Sequence, residues 1–198
     1  MSTTISAGQV KDLRSMTGAP MMDCKQALTE SEGDLDKSVA WLRKKGIAKA
    51  AKKAGREASE GSISSYIHHN GRVGVLLEVN CETDFVAATD DYKGFCKEVC
   101  LHIASMKPIC VTRDEVPQDL IDAETEVLKS QIDTSKPPEI QEKMLTGRLN
   151  KFFAEKVLLD QAYVKDDSKT VEQFRAEAVG RLGENIQIHR FARFEIGT

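Results

Sequence analysis

Apolar positions change their period along this chain. Between residues 6 and 46 they recur every three or four residues. Val10, Leu13 and Met16 or Thr17 come first, then Met21, Cys24 and Leu28, then Leu35, Val39 and Leu42. That spacing predicts three short amphipathic helices. Their ends are marked. Ser6 with Gln9 three residues on fits a capping box. Gly18 can end the first helix in a left-handed conformation. Pro20 suits the first position of the second helix, where no amide hydrogen is needed. Gly33-Asp34 ends that helix and caps the third, with Trp41 at the edge of its stripe. Helices this short are stable only around a shared core, so residues 1–46 are expected to form a compact helical module.

Residues 43–56 differ. Arg43, Lys44, Lys45, Lys49, Lys52, Lys53 and Arg56 are interleaved with alanine, and no acid intervenes before Glu57. Alanine and lysine favour helix, but no wide apolar face is present. A solvated, basic helical linker over 47–60 is expected. A nucleic-acid-binding stripe is the alternative, though it lacks aromatic stacking residues.

From Ser59 the period becomes two. Ser62–His68 and Val73–Asn80 flank His69-Asn70-Gly71-Arg72, and Asn-Gly signals a hairpin. Val75, Leu77 and Val79 share one face. Helices are predicted over about 90–106, with Phe95, Val99 and Ile103 inward, and over 117–132. A longer helix opens at Lys136-Pro137-Pro138. Its broad stripe is Ile140, Met144, Leu145, Leu149, Phe152, Phe153 and Val157. Thr170–Gln173 is a second capping box, before a helix carrying Val171, Phe174, Ala178 and Leu182 and closed by Gly183. The last segment alternates: Ile186, Ile188, Ala192, Phe194 and Ile196 form one face, broken only by Arg190. It is expected to join the hairpin. The fold class is therefore α+β, a small antiparallel sheet packed by helices over 61–198 and tethered to the helical module.

Composition narrows the function. The chain has 198 residues, 40% hydrophobic and 30% charged, with a net charge of −3. This is ordinary for a globular protein and gives no global attraction to nucleic acid or anionic membrane. No apolar run approaches the roughly 20 residues of a membrane span, and the N-terminus lacks the basic and apolar regions of a secretory signal. The five cysteines are odd in number and irregularly spaced, which fits free thiols in a reducing cytoplasm. Cys96 and Cys100 stand i, i+4 with His102 just beyond, but a metal site needs about four converging ligands. No phosphate loop, dinucleotide fingerprint or nucleophile elbow is present. His68 and His69 fall at the hairpin turn. His102 and His189 have no adjacent acid to orient them. Asp90-Asp91 suits a helix N-terminus. Binding, without catalytic residues or a cofactor, is the favoured class.

Two places look like contact surfaces. Arg14, Met21 and Met22 surround the loop Thr17–Pro20. Met21 and Met22 point about 100° apart on a helix: either both fill the core of the module, or at least one is exposed and adapts to a partner's surface. The second place is Thr83-Asp84-Phe85-Val86, where the strand stops and a large aromatic follows a carboxylate. Phe85 either folds back into the core, as burial preferences favour, or is presented to a partner.

Several ordered motifs resemble elongation factor Ts along nearly the whole chain. They include Val10–Arg14, Met16–Ala19, Met21–Lys25, Gly33–Asp36, Lys49–Arg56, Glu78–Ala87, Ser135–Pro137, Glu142–Met144 and Arg193–Glu195. The resemblance implies a guanine nucleotide exchange factor for elongation factor Tu. It implies that residues 1–46 are a ubiquitin-associated-like module, with Arg14, Met21 and Met22 as contacts to the partner's nucleotide-binding domain. Thr83, Asp84, Phe85 and Val86 would be the element that disturbs the partner's Mg²⁺. The partner, and not this chain, would hold GDP, GTP and metal. The likeness is to short members, which lack a second subdomain and are expected to be homodimers. The last strand and the 139–158 helix are the candidate dimer elements.

Overall fold

The computed structural model describes residues 5–133 and 135–197. Four of the six N-terminal residues behind the no-signal expectation lie outside them. Contacts divide the chain into two units. One comprises Met1–Ile63, Glu78–Cys96 and Glu172–Ile188; the other comprises Ser64–Leu77, Lys97–Val171 and His189–Thr198. The class is α+β, with a three-stranded antiparallel sheet of β1 (Glu60–Ile67), β2 (Val73–Cys81) and β5 (Gln187–Glu195) in the order β1-β2-β5. The last strand thus joins the hairpin, next to β2.

In the first unit, α1 (Ala7–Thr17), α2 (Met21–Glu30) and α3 (Leu35–Lys53) surround a core of Val10, Leu13, Cys24, Ala27 and Leu28. Their ends follow the sequence signals. Ser6 and Gln9 form the capping box, with the Gln9 amide on Ser6 Oγ at 3.2 Å. Gly18 caps α1 at φ 66°, and Asp34 caps α3 through the Lys37 amide at 3.0 Å. Pro20 stands one residue earlier than expected, at the N-cap of α2. The stripe of α3 also differs. Leu35 is exposed and Ser38 is buried, its hydroxyl satisfied by Asp34 O at 2.6 Å. A first-turn side chain projects beyond the short core, whereas a small capped serine fits beneath it.

No backbone break separates a module at 1–46 from a linker. α3 runs through that point as one helix, and Gly46 and Ala50 on it are buried. Most of 47–60 is exposed and the segment is helical to Lys53, but patterning does not reveal the buried positions because small residues, and not large apolar ones, make this contact. A Cβ at Gly46 would lie 3.5 Å from Ala176 O in α8 (Val171–Leu182), so the two helices pass backbone to backbone. Arg43 adds an ion pair to Glu177 at 3.7 Å. Elsewhere in this unit Phe95 lies against Phe174, ring centroids 5.2 Å apart. The buried Tyr92 hydroxyl donates to Val79 O at 2.5 Å and accepts from the Ser62 amide at 3.1 Å, tying α5 (Asp90–Met106) to two strands. β1 approaches β2 so closely at Gly61, φ 144°, that a Cβ there would sit 2.2 Å from Val79 O. Only glycine fits.

In the second unit, α6 (Gln118–Ser130) and α7 (Pro138–Lys156) pack on each other. Phe152 joins Cys110, Val116 and Val157 in a buried cluster. The broad α7 stripe is only partly covered: Met144, Leu145 and Leu149 are half-buried and Ile140 is exposed, since α6 shields one side. Val157 lies just past the helix, bridged to Cys110. A small hairpin, β3 (Ala162–Tyr163) with β4 (Asp166–Thr170), was not predicted. Its strands are too short for alternation to show. The final strand departs from its expected face. Ile186 and Ile188 are buried, but His189 and Arg190 are both exposed, and the alternation then inverts. Beyond that point Phe191, Arg193 and Glu195 are half-buried, while Phe194 is 65% exposed and Ile196 also projects outward. Arg193 is satisfied there by Glu195 and by Ala104 O, and Lys107 pairs with Glu195 at 2.8 Å.

All five cysteines are buried free thiols. His102, also buried, has both ring nitrogens engaged. Gln161 donates its amide to Met106 O and Glu155 O, so its oxygen must accept from His102 Nε2, at 2.8 Å. His102 Nδ1 then accepts from the Val164 amide at 3.2 Å. The imidazole is therefore neutral with no lone pair for a metal, and burial holds its pKa below the ordinary 6.5. Because the folded pKa is depressed, this stability is complete above pH 6.5 and is lost as pH falls towards the folded value. Urea unfolding between pH 5 and 7.5 should show stability declining below about pH 6.5, by up to about 1.4 kcal/mol per unit. The decline should be shallower in His102→Gln; equal slopes would contradict it.

Candidate functional site

β2 ends at Cys81, and the chain turns at once into α4 (Asp84–Ala87), a single helical turn. Thr83 is its N-cap, extended at φ −135°, ψ 152°, with Oγ1 accepting from the Val86 amide at 3.3 Å. No residue of α4 is buried. Thr83 and Val86 are half-buried, Asp84 is exposed, and Phe85 is 82% exposed, the most open large apolar side chain among the described residues. Phe85 does not fold back into the core: its side chain stands exposed. The geometric cause is the cap: it turns the chain so that Val86 leans inward and its neighbour outward.

Polar groups that carry no local signal in the sequence hold this turn. Glu184 Oε2 accepts the amides of Glu82 at 3.1 Å and Thr83 at 3.0 Å, and Glu184 Oε1 accepts the Thr83 hydroxyl at 2.7 Å. The Glu82 carboxylate in return accepts the Asn185 amide at 2.6 Å and pairs with Arg56 at 3.4 Å. The Asn185 amide, more than the Arg56 charge, holds the Glu82 carboxyl below the usual range. Asn185 Nδ2 closes the set by donating to Arg56 O at 2.9 Å. These partners lie about a hundred residues apart, so no local period could reveal them.

The helical module presents the other predicted contacts. Arg14, Met21 and Met22 are all exposed, Met22 at 72%, and Met16 joins them at 67%. Cys24, Ala27 and Leu28 fill the inner face of α2, so neither neighbouring methionine is needed in the core. Met16, a sequence alternative for the core stripe, is outside because Thr17 turns back to donate to Leu13 O at 2.8 Å. Methionine suits a surface that must adapt to another. Below it, Asp23 receives Lys45 at 3.0 Å and Lys49 at 2.5 Å. Burial raises the Asp23 carboxyl, but the two lysines together outweigh it and hold it below the usual range.

The basic segment is largely engaged within its own unit. Arg43 meets Glu177, Lys45 and Lys49 meet Asp23, Lys53 donates to Gly183 O, and Arg56 meets Glu82. That leaves little of the stripe to neutralise phosphates. Asp90 and Asp91 occupy the first turn of α5, as their dipole complementarity predicts. No group of three or more potential metal ligands occurs among the described residues.

A family model described as Elongation factor TS matches residues 47–198. A protein named elongation factor Ts from Geobacter sulfurreducens is 52% identical over 195 residues, covering 98% of this chain and 90% of its own. One of that name from Fervidobacterium nodosum is 53% identical over 98% of both chains. One from Syntrophomonas wolfei is 54% identical over 98% of this chain and 91% of its own.

Exposure gives Phe85 and Phe95 opposite mechanical roles. Phe85→Ala should change unfolding free energy by less than about 0.5 kcal/mol. Phe95→Ala, in the core against Phe174, should cost about 3–5 kcal/mol. Chemical denaturation compares the two; a large loss in Phe85→Ala would show that its ring supports the fold.

Proposed function

The chain belongs to the elongation factor Ts family, and we propose that it binds elongation factor Tu, GDP-bound and nucleotide-free, and promotes exchange of GDP for GTP in the cytoplasm. It does so without catalytic residues or a cofactor of its own. The observation that supports this most is Phe85, held 82% exposed at the tip of an anchored turn. An exposed aromatic on a fixed mount is suited to insert between elements of a partner. Asp84 beside it brings a carboxylate towards the partner's Mg²⁺ site. Mg²⁺ demands near-ideal octahedral geometry, so a small displacement of its surroundings weakens nucleotide binding.

Linkage makes the effect mutual: if the factor loosens GDP, GDP loosens the factor equally. Full burial of the Phe85 side chain contributes roughly 1.5–3 kcal/mol. At about 1.4 kcal/mol per tenfold, that supplies at most about 150-fold. Larger acceleration needs more contact. The helical module, with Arg14, Met21, Met22 and the additional Met16, supplies the docking that brings the wedge into place.

A second copy of the chain is the other partner in this reading. In the second unit, Ile67, Leu76, Phe194 and Ile196 stand outward from β1, β2 and β5 and its end. Exposed apolar strand faces of this kind favour association. The α7 helix is a weaker candidate, because its stripe is mostly half-buried already. RNA binding through 43–56 is disfavoured by the internal pairing of its cations. Binding through that segment would weaken steeply with salt.

Stopped-flow release of a fluorescent GDP analogue from elongation factor Tu tests the exchange reading. Phe85→Ala should lower the rate at saturating factor by at least about tenfold. A Met21→Ser, Met22→Ser double variant should chiefly raise the concentration needed. Wild-type rates in Phe85→Ala would remove the wedge assignment. For self-association, sedimentation should show a dimer that Phe194→Asp converts to monomer, through a desolvated charge at the interface. Unchanged mass would rule out that strand face.

A further inference from the structure

We infer that Glu184 is a positioning residue for nucleotide exchange, holding the turn that presents Asp84 and Phe85 in its working geometry. The inference rests on the wedge reading of Thr83–Val86. No residue of α4 is fully buried, and only Val86 and Ala87 are half-buried, so apolar packing gives the turn little hold on its orientation. Hydrogen bonds supply most of that hold. A threonine hydroxyl has one proton and two acceptor lone pairs. Glu184 Oε1 takes that proton at 2.7 Å, which leaves Thr83 Oγ1 to face the Val86 amide and cap the turn. Glu184 Oε2 simultaneously takes the amides of Glu82 and Thr83, where β2 gives way to α4.

Without this carboxylate three donors lose their acceptor together. The hydroxyl can then rotate away from Val86, and the turn samples other conformations. Glu184 itself sits immediately after Gly183, which closes α8, and Asn185 beside it is tied to Glu82 and Arg56. The mount is therefore fixed at its far end. Its mirror-like partner is Glu82, whose carboxylate accepts the amide that follows Glu184. The two acids exchange backbone amides across the junction, which neither could do alone.

A loosened turn does not abolish docking by the helical module. It lowers the fraction of docked complexes whose wedge is in place, and the saturating rate falls by that fraction. The same release assay, run over a range of factor concentrations with wild type, Phe85→Ala, Glu184→Ala and the double variant, separates these steps. Glu184→Ala should lower the saturating rate about tenfold and leave the half-saturating concentration within about twofold. Combined with Phe85→Ala it should add less than about twofold, because it acts through that ring.

A wild-type saturating rate in Glu184→Ala, with Phe85→Ala slow, overturns the inference alone. So does a change confined to the half-saturating concentration, or a double variant showing the full product of both losses. A wild-type rate in Phe85→Ala overturns the wedge reading and this role with it. If Glu184→Ala does not fold, Glu184→Gln keeps one acceptor oxygen and should lose about threefold. It should show the same non-additivity with Phe85→Ala, and no loss would again overturn the role.

Discussion

The end of α3 meets the β2–α4 turn and the α8–β5 junction through Arg56, and the turn and the junction both leave backbone amides without a helix or strand partner. Two carboxylates satisfy them. Glu184 takes two amides and a hydroxyl, Glu82 takes the Asn185 amide, and Arg56 balances the charge that gathers there. Half-buried donors left unpaired would each cost about 1–3 kcal/mol, so these three chain ends are constrained as a set. The exposed Phe85 depends on that constraint. An aromatic this exposed keeps a direction only if the backbone beneath it is held.

The outward surfaces of the first unit differ in stiffness. Phe85 is a rigid ring on a hydrogen-bonded turn. Met16, Met21 and Met22 are flexible side chains on two helix ends, above a core that does not need them. A soft patch tolerates imperfect fit and a stiff one transmits force. The division suits the proposed exchange role, in which a partner is first held and then distorted.

Most elements were legible because their signals are local. The Ser6–Gln9 box, the Gly18 and Asp34 caps, the Asn70-Gly71 turn and the 90–106 periodicity each act within a few residues, and each appears in the structure. Phe85 was undecidable from periodicity, because its exposure follows from a cap hydrogen bond and not from burial preference. The failures were of two kinds. Gly46 and Ala50 carry a helix contact made of smallness, which hydrophobic patterning does not register. The inversion after His189 in β5 needs only two successive outward residues, and a strict alternation cannot show it. The Glu82–Glu184 exchange is long-range and polar, so it was invisible for both reasons.

The five buried thiols have a practical consequence. Burial raises the pKa of Cys24 and Cys81, and that of Cys110 to about 11. The thiolate is the reactive form, so Cys24, Cys81 and Cys110 resist alkylation and oxidation twice over, by access and by protonation. Cys24 lies in the helical module, Cys81 at the end of β2 before α4, Cys96 and Cys100 along α5, and Cys110 beside α7. Native cysteines are thus distributed as clocks: the rate at which each becomes modified reads out the opening of its own neighbourhood, without any introduced label.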